Sequence, residues 1–166
     1  MPRLPRAART LTFALALALV PVIAPAETVV TEAGDPVIAA AIETARSHLA
    51  RVFDVGFQEG GTAHPALTLK VAFPIEDGEE IIWVAEAARA GADMSGKLAN
   101  DPVHLPGLSA GDTVTFTEDM IADWGIVGAA GKLFGHYTTR VLIETMPEDQ
   151  AAAIRDLLSD DPLPAA

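Results

Sequence analysis

The chain has 166 residues, no cysteine and a formal net charge of −12 at pH 7. Without cysteine, neither disulfide bonds nor a bacterial lipid anchor can form, so the fold depends on its hydrophobic core alone. A chain this acidic repels nucleic acid and anionic lipid, which excludes both as partners.

The first 26 residues have the features of a secretory signal peptide. Three arginines precede an apolar run at residues 11–24, and the first acid is Glu27. Small residues at 24–26 predict cleavage after Ala26, with a flexible leader at 27–34. Cleavage removes three of the 11 basic residues and none of the 23 acids, so the mature charge becomes 8 − 23 = −15. We therefore expect a periplasmic or secreted protein that has no membrane contact after cleavage.

Residues 35–160 are expected to form a single domain that begins with a helix. Asp35 is a typical N-cap, Pro36 suits the first helical position, and apolar residues then recur at spacings of three and four as far as Phe53. After a glycine-rich joint the period changes to two, which is typical of half-buried strands. An Asp77-Gly78 pair predicts a hairpin turn between the first two strands. The predicted strands cover residues 67–73, 80–87, 95–98 and 112–117.

The spacing becomes helical again after Thr117. Met120, Ile121 and Trp124 would lie on one side of a short helix, with Asp119 and Asp123 together on another. A last strand is predicted at 135–143, then a short helix that begins near residue 147 and a disordered tail at 161–166. Together these elements predict an α+β fold: a mostly antiparallel curled sheet or small open barrel, an N-terminal amphipathic helix and a short C-terminal helix.

Motifs for catalysis and for metal binding are weak. Residues 107–111 match G-x-S-x-G around Ser109, and Asp123 and His136 follow in the hydrolase order, but the motif leads into a strand where a catalytic serine needs a strand-to-helix turn. The four histidines have no spacing that would place two ligands on one helix face. We therefore assign no catalytic residue, no metal ligand and no cofactor.

The predicted last strand offers the best polar surface. Alternation would bring His136, Thr138 and Arg140 to one face, where three hydrogen-bonding side chains would converge. We expect Asp123 to form an ion pair with Arg140. Two alternatives stay open for this carboxylate, a solvated face and a cation-binding or catalytic site.

Five short motifs occur in order: Trp83-Val84, Gly96 to Pro102, Gly111 to Val114, Ile121 to Trp124, and Gly135 to Arg140. The ordered set resembles the YegJ-like family of bacterial domains of unknown function, over residues of about 65–146. The resemblance implies that Asn100 and Asp112 belong with Asp123 in one polar set. It implies no activity. The structural anchors that accompany the set are Trp83, Trp124, Gly96, Pro102 and Tyr137.

From these features we expect a non-enzymatic exported module that binds a protein partner or a small-molecule ligand. The alternative is a small hydrolase or metal-assisted enzyme that uses Asp123, His136 and Arg140. Such an enzyme, which could also use Ser109, requires at least three of these side chains within about 4 Å of a common point in a cleft. The sequence does not indicate the oligomeric state.

Overall fold

A computed structural model describes residues 35–128 and 130–164 of the chain. The predicted signal peptide, residues 1–26, and the predicted leader, residues 27–34, lie outside the described residues. Among the helices that are described, none has the length and apolar character needed to cross a membrane.

The N-terminal helix forms as predicted but in two parts. Helix α1 covers Pro36–Ser47 and helix α2 covers Leu49–Gly56, with a break at His48. The Asp35 carboxylate accepts the backbone N–H of Val37 at 2.8 Å, which satisfies one of the unpaired donors at the helix start.

In the described part of the chain, six antiparallel strands form one open sheet, and this confirms the α+β prediction. The hairpin at Asp77-Gly78 is also confirmed, since Ile75 lies opposite Gly78 in the ladder. The strand order is β4-β3-β2-β1-β5-β6. The strands are β1 Leu67–Ile75, β2 Gly78–Ala90, β3 Asp93–Leu98, β4 Thr113–Thr117, β5 Ile121–Val127 and β6 Leu133–Gly135.

The main core lies between the first helices and one face of the sheet. Alternate residues of β1 supply Leu67, Leu69 and Val71, each at most 1% exposed, and α2 supplies Val52. Trp124 of β5 is fully buried against this cluster, and its Nε1 donates to the carbonyl oxygen of Ala45 at 3.0 Å. The indole thereby joins α1 to the sheet.

The predicted helix at residues 118–124 is wrong. Only Glu118–Met120 makes a 3-10 turn, and the chain then enters strand β5. β5 is buried on both faces from Ile121 to Gly125, and its register with β1 shifts once between Lys70 and Val71. A strand that is covered on both faces does not show clean alternation, so its apolar residues imitated helical spacing.

The predicted strand at residues 135–143 is also wrong. Strand β6 ends at Gly135, and helix α3 covers Tyr137–Leu142, followed by a 3-10 turn at Ile143–Thr145. Between them His136 adopts a left-handed conformation, with φ of 55°, which redirects the chain. The short C-terminal helix, α4 Glu148–Leu157, forms as predicted.

The loop at residues 99–112 leads into β4 and is held at two points. Glu80 of β2 is 0% exposed, and its two carboxylate oxygens accept the backbone N–H groups of Val103 and His104 at 2.6 and 2.7 Å. At the far end of the loop, Gly111 has φ of 88° and donates to the Leu98 carbonyl at 2.8 Å, while the Leu98 N–H donates to the Asp112 carbonyl at 3.0 Å. This pair of bonds is a glycine β-bulge that sets the register of β4.

Residues 158–162 cover the edge of the sheet at β6. The Gly135 N–H donates to the Pro162 carbonyl at 2.7 Å, and the Ser159 N–H donates to the Leu133 carbonyl at 2.9 Å. The tail, which we expected to be disordered from residue 161, is described as far as Pro164 and packs Leu163 against the main core.

Candidate functional site

A row of polar and aromatic side chains crosses the middle of the sheet. Asp123 of β5 lies opposite Lys70 of β1, and Lys70 lies opposite Trp83 of β2. Directly opposed residues share one face of a sheet. Asp123 is 0% exposed and Lys70 is 4% exposed, although Lys70 alternates with the apolar residues Leu69 and Val71, a pattern typical of a half-buried strand.

The Asp123 carboxylate is fully occupied by hydrogen bonds. Its Oδ1 accepts the N–H groups of Trp124 at 2.8 Å and of Tyr137 at 3.2 Å. Its Oδ2 accepts both the N–H and the hydroxyl of Thr138, each at 2.7 Å. The side chain of His136, the N-cap residue of α3, makes no capping bond, so Asp123 caps this helix from the neighbouring strand.

Thr138 connects the carboxylate to the lysine. Its Oγ1 donates to Asp123 and accepts from Lys70 Nζ at 3.1 Å, and the residue is 3% exposed. Burial raises the pKa of Asp123, while the donors of Thr138 and Trp124 and the charge of Lys70 act in the opposite direction. The network therefore stabilises a buried acid whose partners are all parts of the fold.

His136 packs on the same face as this row. Its ring lies 4.9 Å from the Trp83 ring, centroid to centroid, and over Gly125, where any Cβ would collide with Nε2. Burial lowers the pKa of His136 to about 4, and the positive charges of Lys70 and Arg140 add to that shift. The imidazole is therefore neutral at pH 7.

Arg140 does not pair with Asp123, contrary to the prediction. Among the ion pairs of residues 35–128 and 130–164 there is none between these two side chains. Instead, Arg140 Nε donates to the Gly135 carbonyl at 2.9 Å and its Nη2 to the Ser159 carbonyl at 2.8 Å. Residues two apart on a helix point to different sides, so Thr138 and Arg140 cannot face the same partner.

The other predicted polar residues lie in the loop before β4. The Asp112 carboxylate accepts the Ser109 N–H at 2.8 Å, so the G-x-S-x-G segment is a turn. Asn100 bonds only weakly, from Nδ2 to the Asp101 carbonyl at 3.4 Å, and its buried Oδ1 has no partner within the described part of the chain. Asp123, His136 and Thr138 lie together, whereas Asn100 and Asp112 belong to a different part of the fold.

The predicted anchors differ in how deeply they are buried. Trp124 is fully buried, Trp83 is half-buried, Gly96 is buried in the middle of β3, and Pro102 is half-buried in the loop. The Tyr137 ring lies between Trp124 and His48, at 5.7 Å from each. The Tyr137 hydroxyl is buried and has no hydrogen-bond partner among the described residues.

Lys70 is the residue of this cluster that the sequence did not reveal. It alternates with apolar residues along β1, and its burial involves residues that are distant in sequence, among them Trp83, Asp123 and Thr138. No local signal in the sequence could have identified it.

Within the described ranges, no group of three or more His, Asp or Glu side chains is placed to hold a metal ion. A shallow cavity of about 330 Å³ lies beside Arg140, Arg155 and Ser159. The Glu144 and Asp160 carboxylates line the same cavity, so its charge is mixed.

A family model described as "Uncharacterized protein conserved in bacteria (DUF2314)" matches residues 35–156, which is 122 of 166 residues or about three quarters of the chain. The chain belongs to this family. The DUF2314 match runs from α1 into α4, so it includes the N-terminal helix that the shorter resemblance left out. No curated protein matches the chain, and no solved structure matches it.

Proposed function

We propose that this DUF2314 chain is an exported, non-catalytic module that binds an extended segment of a protein partner along the outer side of β4. The observation that carries the proposal is the open edge, which we define as residues 113–117. β4 is the last strand of the sheet, and no described segment pairs with its outer side. An unpaired strand edge is a template for an added strand.

The ladder fixes which backbone groups of the open edge point outward. The β-bulge makes Leu98 and Asp112 a hydrogen-bonded pair, and such pairs alternate along an antiparallel ladder. Thr113 opposite Lys97 and Thr115 opposite Ser95 are therefore non-bonded pairs, whose N–H and C=O groups face away from β3. A partner strand would find donors and acceptors at these alternate positions.

The side chains of the open edge also favour pairing. Val114 and Phe116 are buried in the core and hold the strand in place, while Thr113 and Thr115 are exposed. β-branched threonine favours extended backbone, and the strand contains no proline and no charge that would prevent a neighbour from approaching. Five residues are enough for a mode of binding in which main-chain hydrogen bonds supply the affinity.

The non-catalytic part of the proposal is supported by the saturated network. Asp123 has four donors, Thr138 both donates and accepts, and Arg140 bonds two carbonyl groups. A general base or nucleophile must reach a substrate atom, and these groups are engaged within the fold. The alternative enzyme would have to break the cap of α3 in order to act.

Export and the narrower family assignment are part of the same proposal. The basic start, the apolar run and the small residues before Glu27 support cleavage after Ala26 and a periplasmic or secreted location. The ordered motifs from Trp83 to Arg140 support a place among the YegJ-like members. N-terminal sequencing of the protein from a periplasmic fraction should begin at Glu27. An intact Met1 in that fraction would contradict cleavage.

Site-specific photo-crosslinking in the producing cell tests partner binding. A photoreactive amino acid at Thr113 should yield a protein adduct, and the second change Thr115→Pro should abolish it by removing an outward N–H. The matched controls are Thr115→Val, which keeps the backbone donor, and the same probe at exposed Glu59. Adducts that persist in Thr115→Pro, or that form equally at Glu59, would contradict the proposal.

Enzyme assays test the non-catalytic part. We expect purified residues 27–166 to show no turnover of ester, phosphate or peptide substrates. Turnover that Asp123→Asn abolishes in a folded variant would overturn this part of the proposal.

A further inference from the structure

We infer that the segment bound at the open edge is cationic, with lysine or arginine on both sides of a short run of β-branched residues. This inference rests on the proposed function and names the chemical class of the partner. The supporting observation is the pattern of charge around β4, which is the same in sign at both ends of the strand.

Acidic side chains flank the open edge. Asp112 comes directly before β4, and Glu118 and Asp119 come directly after it; all three are exposed. Asp93 of β3, also exposed, lies opposite Thr117. Hydrogen bonds from the Thr117 side chain and from its own backbone lower the pKa of Asp119, which keeps this carboxylate ionised.

Two of the basic groups near β4, Arg89 and Lys97, are already paired with acids, and a third, Arg46, acts on Asp119 through its charge. Arg89 bonds Glu118 at 3.3 Å, and Lys97 bonds Glu86 at 2.6 Å. Asp93, Asp112 and Asp119 are in no ion pair within the part of the chain that the structure describes. The five acids Asp93, Asp112, Glu118, Glu86 and Asp119 outnumber the three bases Arg89, Lys97 and Arg46, so the surroundings of the edge carry −5 + 3 = −2.

The length of β4 indicates where the positive charges of a partner would lie. Five extended residues span about 17 Å, and the screening length at physiological salt is about 8 Å. A single charge at the centre of a partner strand would lie about one screening length from each end of β4, so its attraction to the acids at both ends would be weak. Cations on each side of a five-residue run would lie beside Asp112 at one end and beside Asp119 at the other.

The same charges disfavour a second copy of this chain as the occupant. Two β4 strands that pair antiparallel about a twofold axis at Thr115 place position 112 opposite position 118, since 112 + 118 is twice 115. Asp112 would then face Glu118 of the second copy, and this would happen twice in each dimer. Like charges directly opposite each other destabilise a strand pair.

Titration with synthetic peptides tests the inference. The probe is the peptide KKVTVTVKK, and the matched control is EEVTVTVEE, which has the same central run with reversed flanking charge. We expect the lysine peptide to bind residues 27–166 at least about tenfold more tightly than the glutamate peptide, and added salt to weaken it. Amide shifts in heteronuclear NMR spectra should centre on Thr113 and Thr115.

Variants and modified peptides separate edge pairing from general attraction. N-methylation of the alternate edge-facing amides of KKVTVTVKK should abolish binding, and Thr115→Pro should do the same, while Thr115→Val retains it. Equal binding of the two peptides, or shifts centred away from β4, would overturn the inference. If a protein adduct forms at Thr113 but the lysine peptide is not preferred, the cationic partner is wrong and the proposed function stands. If no adduct forms, the proposed function fails on its own test.

Discussion

The two edges of the sheet differ in whether other segments cover them. β6 has only three residues, and residues 158–162 bond along it while α3 occupies the space beside β5; we call this group the closed edge. The open edge, at β4, has five residues and no covering segment among the described residues. Covering an edge with chain is a common protection against unwanted pairing. The difference indicates that pairing is prevented at one edge and available at the other.

The largest expected loss of stability comes from Asp123, the residue of β5 that caps α3 in the closed edge. Asp123→Ala should destabilise the fold by about 3 to 5 kcal/mol, because it leaves four buried hydrogen-bond donors without their acceptor and removes the negative charge near Lys70. Denaturant unfolding of the variant measures this. Asp119→Ala, at a fully exposed carboxylate, is the control and should shift the midpoint far less than Asp123→Ala. A small effect of Asp123→Ala would mean that α3 does not depend on its cap.

The second effect is a pH dependence from His136 at the start of α3. The pKa falls from 6.5 in the unfolded chain to about 4 in the fold, so the unfolded chain takes up the proton first as pH decreases. This contribution is fully present above pH 6.5 and is lost as pH falls towards 4, by about 3 kcal/mol in total.

His136→Asn isolates this effect, because asparagine tolerates the left-handed conformation and does not titrate. The unfolding free energies of both proteins are measured between pH 4 and pH 7.5, and their difference should change by about 3 kcal/mol because only the protein with His136 loses this contribution in acid. Parallel curves would show that the pKa of His136 is the same in the folded and the unfolded chain, and this would contradict the expected shift.

The third effect concerns the tail. Arg140→Ala removes two hydrogen bonds from a charged donor, to Gly135 and Ser159, and should cost about 2 kcal/mol. Hydrogen exchange at the Gly135 amide, which bonds Pro162, should accelerate as the closed edge loosens. Arg155→Ala, which breaks only exposed ion pairs, is the comparison and should cost less than about 1 kcal/mol. Equal costs for the two variants would contradict a structural role for Arg140.

The smallest loss of stability should follow a substitution at the open edge. Thr115→Pro removes an outward N–H that bonds nothing in β3, so we expect a loss of about 1 kcal/mol or less. Val114→Pro removes an inward N–H and should cost about 3 kcal/mol or more. If the two substitutions cost the same, the assignment of outward groups is wrong. The amides of Thr113 and Thr115 should also exchange faster than that of Gly135.

Local patterns predicted the elements whose environment is simple. The hairpin at Asp77-Gly78, the strands with one covered face and the capped start of α1 follow from period and turn chemistry. β5 was missed because both its faces are buried, and α3 was missed because threonine and valine favour strands while the cap comes from Asp123 on another strand. Long-range contacts decided both segments, and no window of sequence contains them.

The polar site was also predicted only in part, because long-range contacts determine some of its members. Asp123, His136 and Thr138 do lie near one another, but the predicted strand face that united His136 with Arg140 does not exist. Because a strand was predicted where a helix forms, the predicted partner of Arg140 was also wrong. Side-chain direction depends on the period of the element. Lys70 was missed because its burial depends on a pairing register that sequence alone does not fix.

The buried carboxylate of Glu80 has a consequence for how a partner would associate. By holding Val103 and His104 from the middle of the sheet, it fixes the loop that delivers the chain to β4. An edge that is rigid before contact loses little conformational entropy on binding, so the ordering cost falls on the incoming segment. Affinity would then be governed by how readily that segment becomes extended. Glu80→Gln, although it lies in β2 and outside the open edge, should weaken association chiefly through a less favourable entropy.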